Sequence, residues 1–364
     1  MVSRRALVKL LATGALIAPL LLWSPPLKAA VSLTANPVLT DLNRVATFTF
    51  APNGTIFYGE LVTGEIHIVN PSRSSDRLFF TIGDLYTRTG NHGLLGLALH
   101  PKYPAKPYLY VYASRQIGGK PQNQILRLTN SGGKGTGQKI LLRWPAAGLH
   151  AGGRIMFGPD GRLYAVSGDA NQNSAPQDLN SRRGKVLRMT VKGTVPSDNP
   201  FPNKYIYAYG IRNSFGFDFD PRTGRMWATD NGPECNDELN LIKRGGNYGH
   251  GPSDTCDTPP KPPKNTNQDG PNPTLPKRFF ASTFAPTGVA FCSKCGLGEG
   301  TRGRLFFGTF TPGSVHMVTL GPKRWNVLSD RVVYRDQRVA AIERGPSGAL
   351  YFSNLNNIYR LSRG

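Results

Sequence analysis

One repeated unit constrains the fold of this chain more than any other feature. The unit is an apolar strand, a turn built on Pro or Gly, and a second strand rich in aromatic residues. Alternating apolar positions give each strand one buried face, and Asn-Gly, Asp-Gly and Ser-Gly pairs supply turns that require positive φ. Copies of the unit occupy residues 48–58, 97–112, 155–164, 217–227, 303–307 and 342–351.

The number of copies predicts the architecture. A four-stranded sheet cannot bury both of its faces alone, so successive copies must stack. Six copies predict an all-β fold, a six-bladed β-propeller of four-stranded antiparallel blades around a central channel. Another all-β fold, such as a sandwich, is the alternative. We expect residues 31–364 to form this single domain, with the Pro-rich stretch 251–280 as an insertion within a blade.

The first thirty residues have the pattern of an export signal. Arg4 and Arg5 precede an uncharged apolar stretch, residues 10–23, and a small-residue site follows at residues 29–30. The apolar stretch is shorter than the roughly 20 residues that span a bilayer. We therefore expect residues 1–30 to be a twin-arginine-type signal peptide that sends the protein to the periplasm, the envelope or the outside. An uncleaved N-terminal anchor is the alternative.

The composition and net charge limit the kinds of binding partner that we expect. The formal net charge is +22, while 39% hydrophobic and 18% charged residues argue against disorder. The basic residues are scattered among turns, and the sequence has no nucleic-acid-binding motif, so we expect no nucleic acid partner. Two interpretations of the charge stay open: a generally basic surface, or attraction to an anionic envelope surface.

Four cysteines, Cys235, Cys256, Cys292 and Cys295, permit three pairings. In an exported protein disulfides are the expected state. We predict the pairs Cys235–Cys256 and Cys292–Cys295. A zinc site is the alternative for the Cys-x-x-Cys pair, although the other two cysteines do not form a matching second half.

The richest stretch for chemistry begins at His150 and ends at Asp169. His150 precedes a Gly-Gly pair at a strand entrance, and Asp169 follows the next strand. In an antiparallel pair these two ends meet, so the carboxylate can reach the imidazole. A carboxylate on one ring nitrogen fixes the tautomer and makes the other nitrogen a better base. The spacing therefore predicts a contact between Asp169 and His150. The residues alone favour a structural histidine, with a general base oriented by Asp169 as the alternative.

A series of motifs extends this prediction across residues 91–247. In order, they include Gly-Leu-Leu-Gly (93–96), His-Ala-Gly-Gly-Arg (150–154), Gly-Lys-Val-Leu-Arg (184–188), Tyr-Gly-Ile-Arg-Asn (209–213) and Gly-Pro-Glu-Cys-Asn-Asp-Glu (232–238). Their order resembles that of the soluble PQQ-dependent glucose and aldose sugar dehydrogenases, the glucose/sorbosone dehydrogenase family. The resemblance implies PQQ- and calcium-dependent oxidation of an aldose to a lactone, with an electron acceptor that the sequence does not identify.

The resemblance also implies individual roles. His150 would take the proton of the anomeric hydroxyl as hydride leaves for the quinone, and Asp169 would orient it. Arg212 and Asn213 match a pair that contacts PQQ, and Asn91 and Arg338 occupy further positions at the cofactor.

The same resemblance implies a metal site. The carbonyl groups of Gly232 and Pro233 match ligands of a Ca²⁺ that also touches PQQ, and oxygen ligands suit this ion. Asp237 and Glu238 match a neighbouring acidic pair for a further Ca²⁺. A solvated turn is the alternative for this pair.

The chain departs from the family at basic positions. Thr311 stands where the family has a lysine, and Ala340 replaces the second arginine of an Arg-x-Arg run that begins at Arg338. PQQ carries three carboxylates, so its site requires fixed positive charge. These departures keep two alternatives open: a non-catalytic propeller that binds a sugar polymer or a protein in the envelope, and a lactonase-type hydrolase that uses His150 and Ca²⁺.

Overall fold

The computed structural model describes residues 31–70, 75–88, 91–146, 148–253, 256 and 268–364. The predicted export segment, residues 1–30, lies outside the described residues and stays a prediction. Within the described ranges, no helix has the length and apolar character needed to cross a membrane.

The described chain forms six four-stranded antiparallel sheets, as the repeats predict. Blade 1 contains β2 (Val45–Phe50), β3 (Ile56–Glu60), β4 (Glu65–Asn70) and β5 (Ser75–Thr81). Blade 2 contains β6 (Leu94–Leu99), β7 (Tyr108–Ile117), β8 (Lys120–Ser131) and β9 (Lys134–Pro145). Blade 3 contains β10 (Gly152–Phe157), β11 (Leu163–Ser167), β12 (Lys185–Met189) and β13 (Ile206–Tyr209).

The second half of the chain continues the pattern. Blade 4 contains β14 (Phe217–Phe219), β15 (Met226–Asp230), β16 (Cys235–Ile242) and β17 (Arg278–Ser282). Blade 5 contains β18 (Pro286–Phe291), β19 (Leu305–Thr309), β20 (Ser314–Leu320) and β21 (Val327–Arg335). Blade 6 contains β22 (Ala341–Arg344), β23 (Leu350–Ser353) and β24 (Ile358–Arg363), with β1 (Leu33–Leu39) as its fourth strand.

The first strands of the blades line the propeller axis. Strand β2 contacts β6 and β22, β6 contacts β10, and β18 contacts β14 and β22. Strands β6 and β10 approach so closely that only glycine fits at position 96. A Cβ atom there would lie 2.3 Å from the carbonyl oxygen of Gly153. The predicted six-bladed β-propeller is confirmed.

The hydrophobic core is divided among the interfaces between blades. Six buried clusters each lie mainly between two neighbouring blades, so each sheet buries both faces only through its neighbours. Trp227, on β15, is fully buried between blades 4 and 5. This arrangement is the physical reason that the repeats must stack.

Blade 6 joins the two ends of the described chain. Strand β1 pairs antiparallel with β24, with Leu33 opposite Arg363 and Pro37 opposite Tyr359. Leu33 and Leu361 belong to the same buried cluster. The ring is therefore closed by hydrogen bonds and apolar contacts between its first and last strands.

Both predicted disulfides are present, Cys235–Cys256 and Cys292–Cys295. The described parts of the Pro-rich stretch 251–280 lie between β16 and β17 of blade 4, and the stretch ends with the first three residues of β17. The Cys235–Cys256 bond ties this connection to the start of β16.

Candidate active site at the end of the channel

A cavity of 510 Å³, called the central cavity below, lies where the blades converge. Every blade contributes to its wall. Its lining residues include Arg44, Asn91, His150, Arg154, Asn213, Phe215, Gly232, Pro233, Asp237, Phe284, Phe310, Thr311 and Ala340. Six of the predicted site residues are thus brought to one cavity, although they are spread over residues 91–237.

His150 and Asp169 form the predicted pair. The Nδ1 atom of His150 lies 2.7 Å from Oδ1 of Asp169, and Asp169 is fully buried. His150 has a positive φ of 62°, and its carbonyl oxygen would lie 2.0 Å from a Cβ atom at Gly168. Glycine at position 168 is therefore what allows the histidine loop to approach the end of β11.

A second histidine, which the sequence did not indicate, shares the same carboxylate. The Nε2 atom of His250 lies 2.8 Å from Oδ2 of Asp169, and His250 is buried. The backbone N–H of Asn171 also donates to Oδ1 of Asp169 at 2.8 Å. Burial raises the pKa of Asp169, but the hydrogen bonds from His150 and His250 outweigh burial and hold this pKa well below its usual range. Asp169 is therefore ionised at neutral pH.

Asn91 lines the central cavity. The next residue, His92, is buried and is not part of the cavity lining. Burial, followed by the proximity of His150, lowers the pKa of His92 to about 4. His92 is neutral at neutral pH, so it adds no positive charge beside His150.

Arg212 and Asn213 connect the His150–Asp169 pair to blade 4. The carbonyl oxygen of Arg212 accepts from Asp169 N at 2.8 Å. The backbone N–H groups of Arg212 and Asn213 donate to the two oxygens of Asp230, at 2.9 and 2.6 Å. The Asn213 side chain accepts from Gly152 N at 3.2 Å. Asp230 was missed, although it ends β15 much as Asp169 follows β11.

The loop Gly232–Pro233 borders two cavities. It lines the central cavity and also a side cavity of 20 Å³, which has room for about one water molecule or ion. Asp237 holds this loop, because its Oδ1 accepts from Gly232 N at 2.9 Å while its Oδ2 accepts from Phe284 N and Ala285 N at 2.6 and 3.0 Å. Burial raises the pKa of Asp237 to about 6.

Two carboxyl groups face the side cavity, those of Asp230 and Glu238. Burial, strengthened by the charge of Asp230, raises the pKa of Glu238 to about 8. The guanidinium of Arg212 also belongs to this wall and donates to the carbonyl of Asn231 at 3.2 Å. The structure thus separates Arg212 and Glu238 from the central cavity and places them beside the Gly232–Pro233 loop.

The charges of the central cavity differ from those that the resemblance implied. Thr311 and Ala340 line it, while the Arg338 guanidinium lies 5.2 Å from the ring centre of the lining residue Phe310. Two other arginines lie in the wall. Arg154 is paired with Glu343 at 3.0 Å, and Arg44, which the sequence did not indicate, enters from the start of blade 1.

The six-bladed propeller, the buried His150–Asp169 pair and the Gly232–Pro233 loop are the features that the motif resemblance implied. Comparison with known sequences agrees with that resemblance. The Glucose / Sorbosone dehydrogenase family matches residues 42–363, so the chain belongs to that family. The resemblance read from the motifs is confirmed.

Individual relatives point the same way. The chain is 32% identical over 244 residues to quinoprotein glucose dehydrogenase B of Acinetobacter calcoaceticus, a match that covers 58% of this chain and 51%, about half, of that relative. It is 27% identical over 353 residues to aldose sugar dehydrogenase YliI of Escherichia coli, covering 92% and 94%. The PQQ-bound structure of aldose sugar dehydrogenase from Streptomyces coelicolor superposes with a TM-score of 0.77 at 25% identity, covering 93% and 99%.

Proposed function

We propose that the protein oxidises an aldose to its lactone with PQQ and Ca²⁺, using His150 as the base. The observation that carries the proposal is the hydrogen bond between His150 and buried Asp169 in the wall of a 510 Å³ cavity. When bound, PQQ would accept two electrons as hydride from the sugar C1, and Ca²⁺ would polarise a quinone oxygen as a Lewis acid.

The pair determines which nitrogen of His150 is basic. An ionised carboxylate only accepts hydrogen bonds, so His150 must carry its proton on Nδ1, where it meets Asp169 at 2.7 Å. The Nε2 atom then holds a lone pair. It can take the proton from the anomeric hydroxyl while the C1–H bond breaks and the C1–O bond becomes a carbonyl. Asp169 stabilises the imidazolium that results.

The wall of the central cavity suits an aromatic, anionic cofactor. Phe215, Phe284 and Phe310 supply flat apolar surface, and Arg44 supplies a positive charge for a carboxylate. Arg44 thus offers a cation in a cavity that has Thr311 and Ala340 at the family's basic positions. The described parts of the Pro-rich stretch add no residue to this wall.

The Gly232–Pro233 loop suits Ca²⁺. Both residues offer backbone carbonyl groups beside the central cavity, and the neighbouring side cavity holds the carboxyl groups of Asp230 and Glu238. Hard oxygen donors of this kind are the ligands that Ca²⁺ takes. Asp237 acts through the loop, since its oxygens already accept backbone N–H groups, and its role as a direct ligand stays a prediction.

The test is reconstitution. The purified chain is mixed with PQQ and Ca²⁺, and a panel of aldoses is assayed with an artificial electron acceptor dye. We expect dye reduction, loss of activity on chelation, and recovery with added Ca²⁺. His150→Ala should abolish turnover while PQQ absorbance is retained, and His100→Ala, at the far end of β6, is the matched control. A protein that retains no PQQ and reduces no dye with any aldose would overturn the proposal.

A further inference from the structure

His250 contacts the proposed catalytic pair from a distant part of the chain. It lies 81 residues after Asp169, and its Nε2 is 2.8 Å from Oδ2 of that carboxylate. Only 7% of the His250 side chain is exposed. Asp169 is therefore held between two imidazole rings, one on each oxygen, in a setting that excludes most solvent.

The backbone fixes where His250 stands. Its N–H donates to the carbonyl of Gly210 at 3.0 Å, and its carbonyl accepts from Nε2 of Gln177 at 2.8 Å. The same Gln177 nitrogen donates to Oδ1 of Asn247 at 3.0 Å, which also accepts from Gly249 N at 2.9 Å. These bonds join Gly210 and the β11–β12 connection of blade 3 to the connection after β16, so both blades hold the backbone at His250.

The acceptor chemistry of Asp169 decides the protonation of both rings. A carboxylate that meets a ring nitrogen at hydrogen-bond distance requires that nitrogen to carry a proton. His250 therefore donates from Nε2 and His150 donates from Nδ1. With His150 and Asn171 N on Oδ1 and His250 on Oδ2, rotation of the carboxylate about its χ2 would break bonds on both sides.

We propose that His250 is a positioning residue that locks the Asp169 carboxylate, so that His150 stays in the tautomer with a proton on Nδ1 and a lone pair on Nε2. This inference rests on the proposed role of His150 as the base. His250 itself faces the side cavity, not the central cavity, and so has no contact with the substrate in this scheme. Its effect passes through Asp169.

Two substitutions isolate the hydrogen bond. His250→Phe keeps a flat ring and removes the donor, leaving one buried oxygen of Asp169 unpaired. His250→Gln keeps an N–H donor at the end of a side chain of similar reach. We expect the Phe variant to lower kcat by about tenfold with KM unchanged, because one lost buried hydrogen bond corresponds to roughly one power of ten in rate. The Gln variant should stay within about threefold of the wild type.

The second readout does not depend on turnover. Long-range ¹H–¹⁵N NMR of the full chain reports which ring nitrogen of His150 is protonated. The wild type and His250→Gln should show protonated Nδ1, and His250→Phe should show a mixture of tautomers.

If His250→Phe fails to fold, judged by its melting transition, His250→Asn replaces it, because its shorter amide does not reach Asp169. A pure Nδ1–H tautomer and unchanged kcat in a folded variant that has no donor within reach of Asp169 would overturn the inference. A wild type that turns over no sugar would instead overturn the proposed function, with the NMR result still deciding the role of His250.

Discussion

Replacing Asp169 with Asn tests how two histidines share one side chain. Oδ1 accepts from both His150 Nδ1 and the backbone N–H of Asn171, while Oδ2 accepts from His250. Because the backbone N–H can only donate, the amide oxygen of the variant must remain at the Oδ1 position. The amide nitrogen then faces His250, which has to change tautomer. His150 keeps its proton on Nδ1 and loses only the negative charge beside it.

The magnitude follows from that loss. A hydrogen bond to a charged group contributes about 1.5–3 kcal/mol, and a neutral one about 0.5–1.5 kcal/mol. The difference, about 1–1.5 kcal/mol, should appear in the transition state, where His150 becomes positively charged. Asp169→Asn is therefore expected to lower kcat by about tenfold. Asp169→Ala removes the acceptor as well as the charge, so its kcat should fall by at least a further factor of ten.

Initial rates of dye reduction at saturating aldose, with PQQ and Ca²⁺ present, measure both variants. The melting transition of each protein shows whether the buried substitution has unfolded it. Equal rates for the wild type and Asp169→Asn would refute the reasoning, because the buried charge would then have no role. A rate for Asp169→Asn as low as that of Asp169→Ala would show that His150, not His250, changes its tautomer.

Three further predictions concern stability and its pH dependence. Trp227→Ala should lower the free energy of unfolding by about 3–5 kcal/mol, measured with urea, because the ring is fully buried between two blades. Burial raises the pKa of Glu343 to about 7 despite its ion pair with Arg154. The folded state therefore binds this proton more tightly than the unfolded state does. As pH rises from 4.5 to 7, the free energy of unfolding should fall by up to about 3 kcal/mol. Glu343→Gln should remove this slope, and an unchanged slope would assign it to other groups. Replacing Cys235 and Cys256 with Ser should cost about 3 kcal/mol, the entropy of a loop of this length, and a melting temperature equal to that of the wild type would contradict this.

The fold could be predicted because each repeat contains its own strand and turn signals within a short stretch of sequence. Each copy, such as residues 155–164, carries strand alternation and a turn within a dozen residues, and the structure forms a hairpin there, β10–β11. The need to stack followed from sheets that cannot cover themselves, and the six interblade clusters satisfy it. The disulfide pairs were also predicted correctly.

The site was predictable only where short-range order or family motifs supplied it. His150 and Asp169 flank one hairpin, so their contact follows from antiparallel pairing. The contact of His250 with Asp169 depends on a long connection between β16 and β17, which no periodic pattern describes. Arg44 lies in the cavity wall because the closed ring brings blade 1 beside the other blades. The residues around Arg44 in the sequence form no motif that indicates this position. Asp230 could have been found, since it ends a second strand as Asp169 follows one.

The pairing of β1 with β24 has a consequence for how the protein is made. Strand β1 is among the first described residues to be synthesised, yet its partner is complete only at residue 363. Until then blade 6 lacks a complete β24, and the edge of β1 that pairs with β24 is open to other chains. The ring can therefore close only after residue 363 has been synthesised. A ribosome-bound chain truncated before β24 is expected to expose that edge, and a variant that lacks β24 would leave the propeller open.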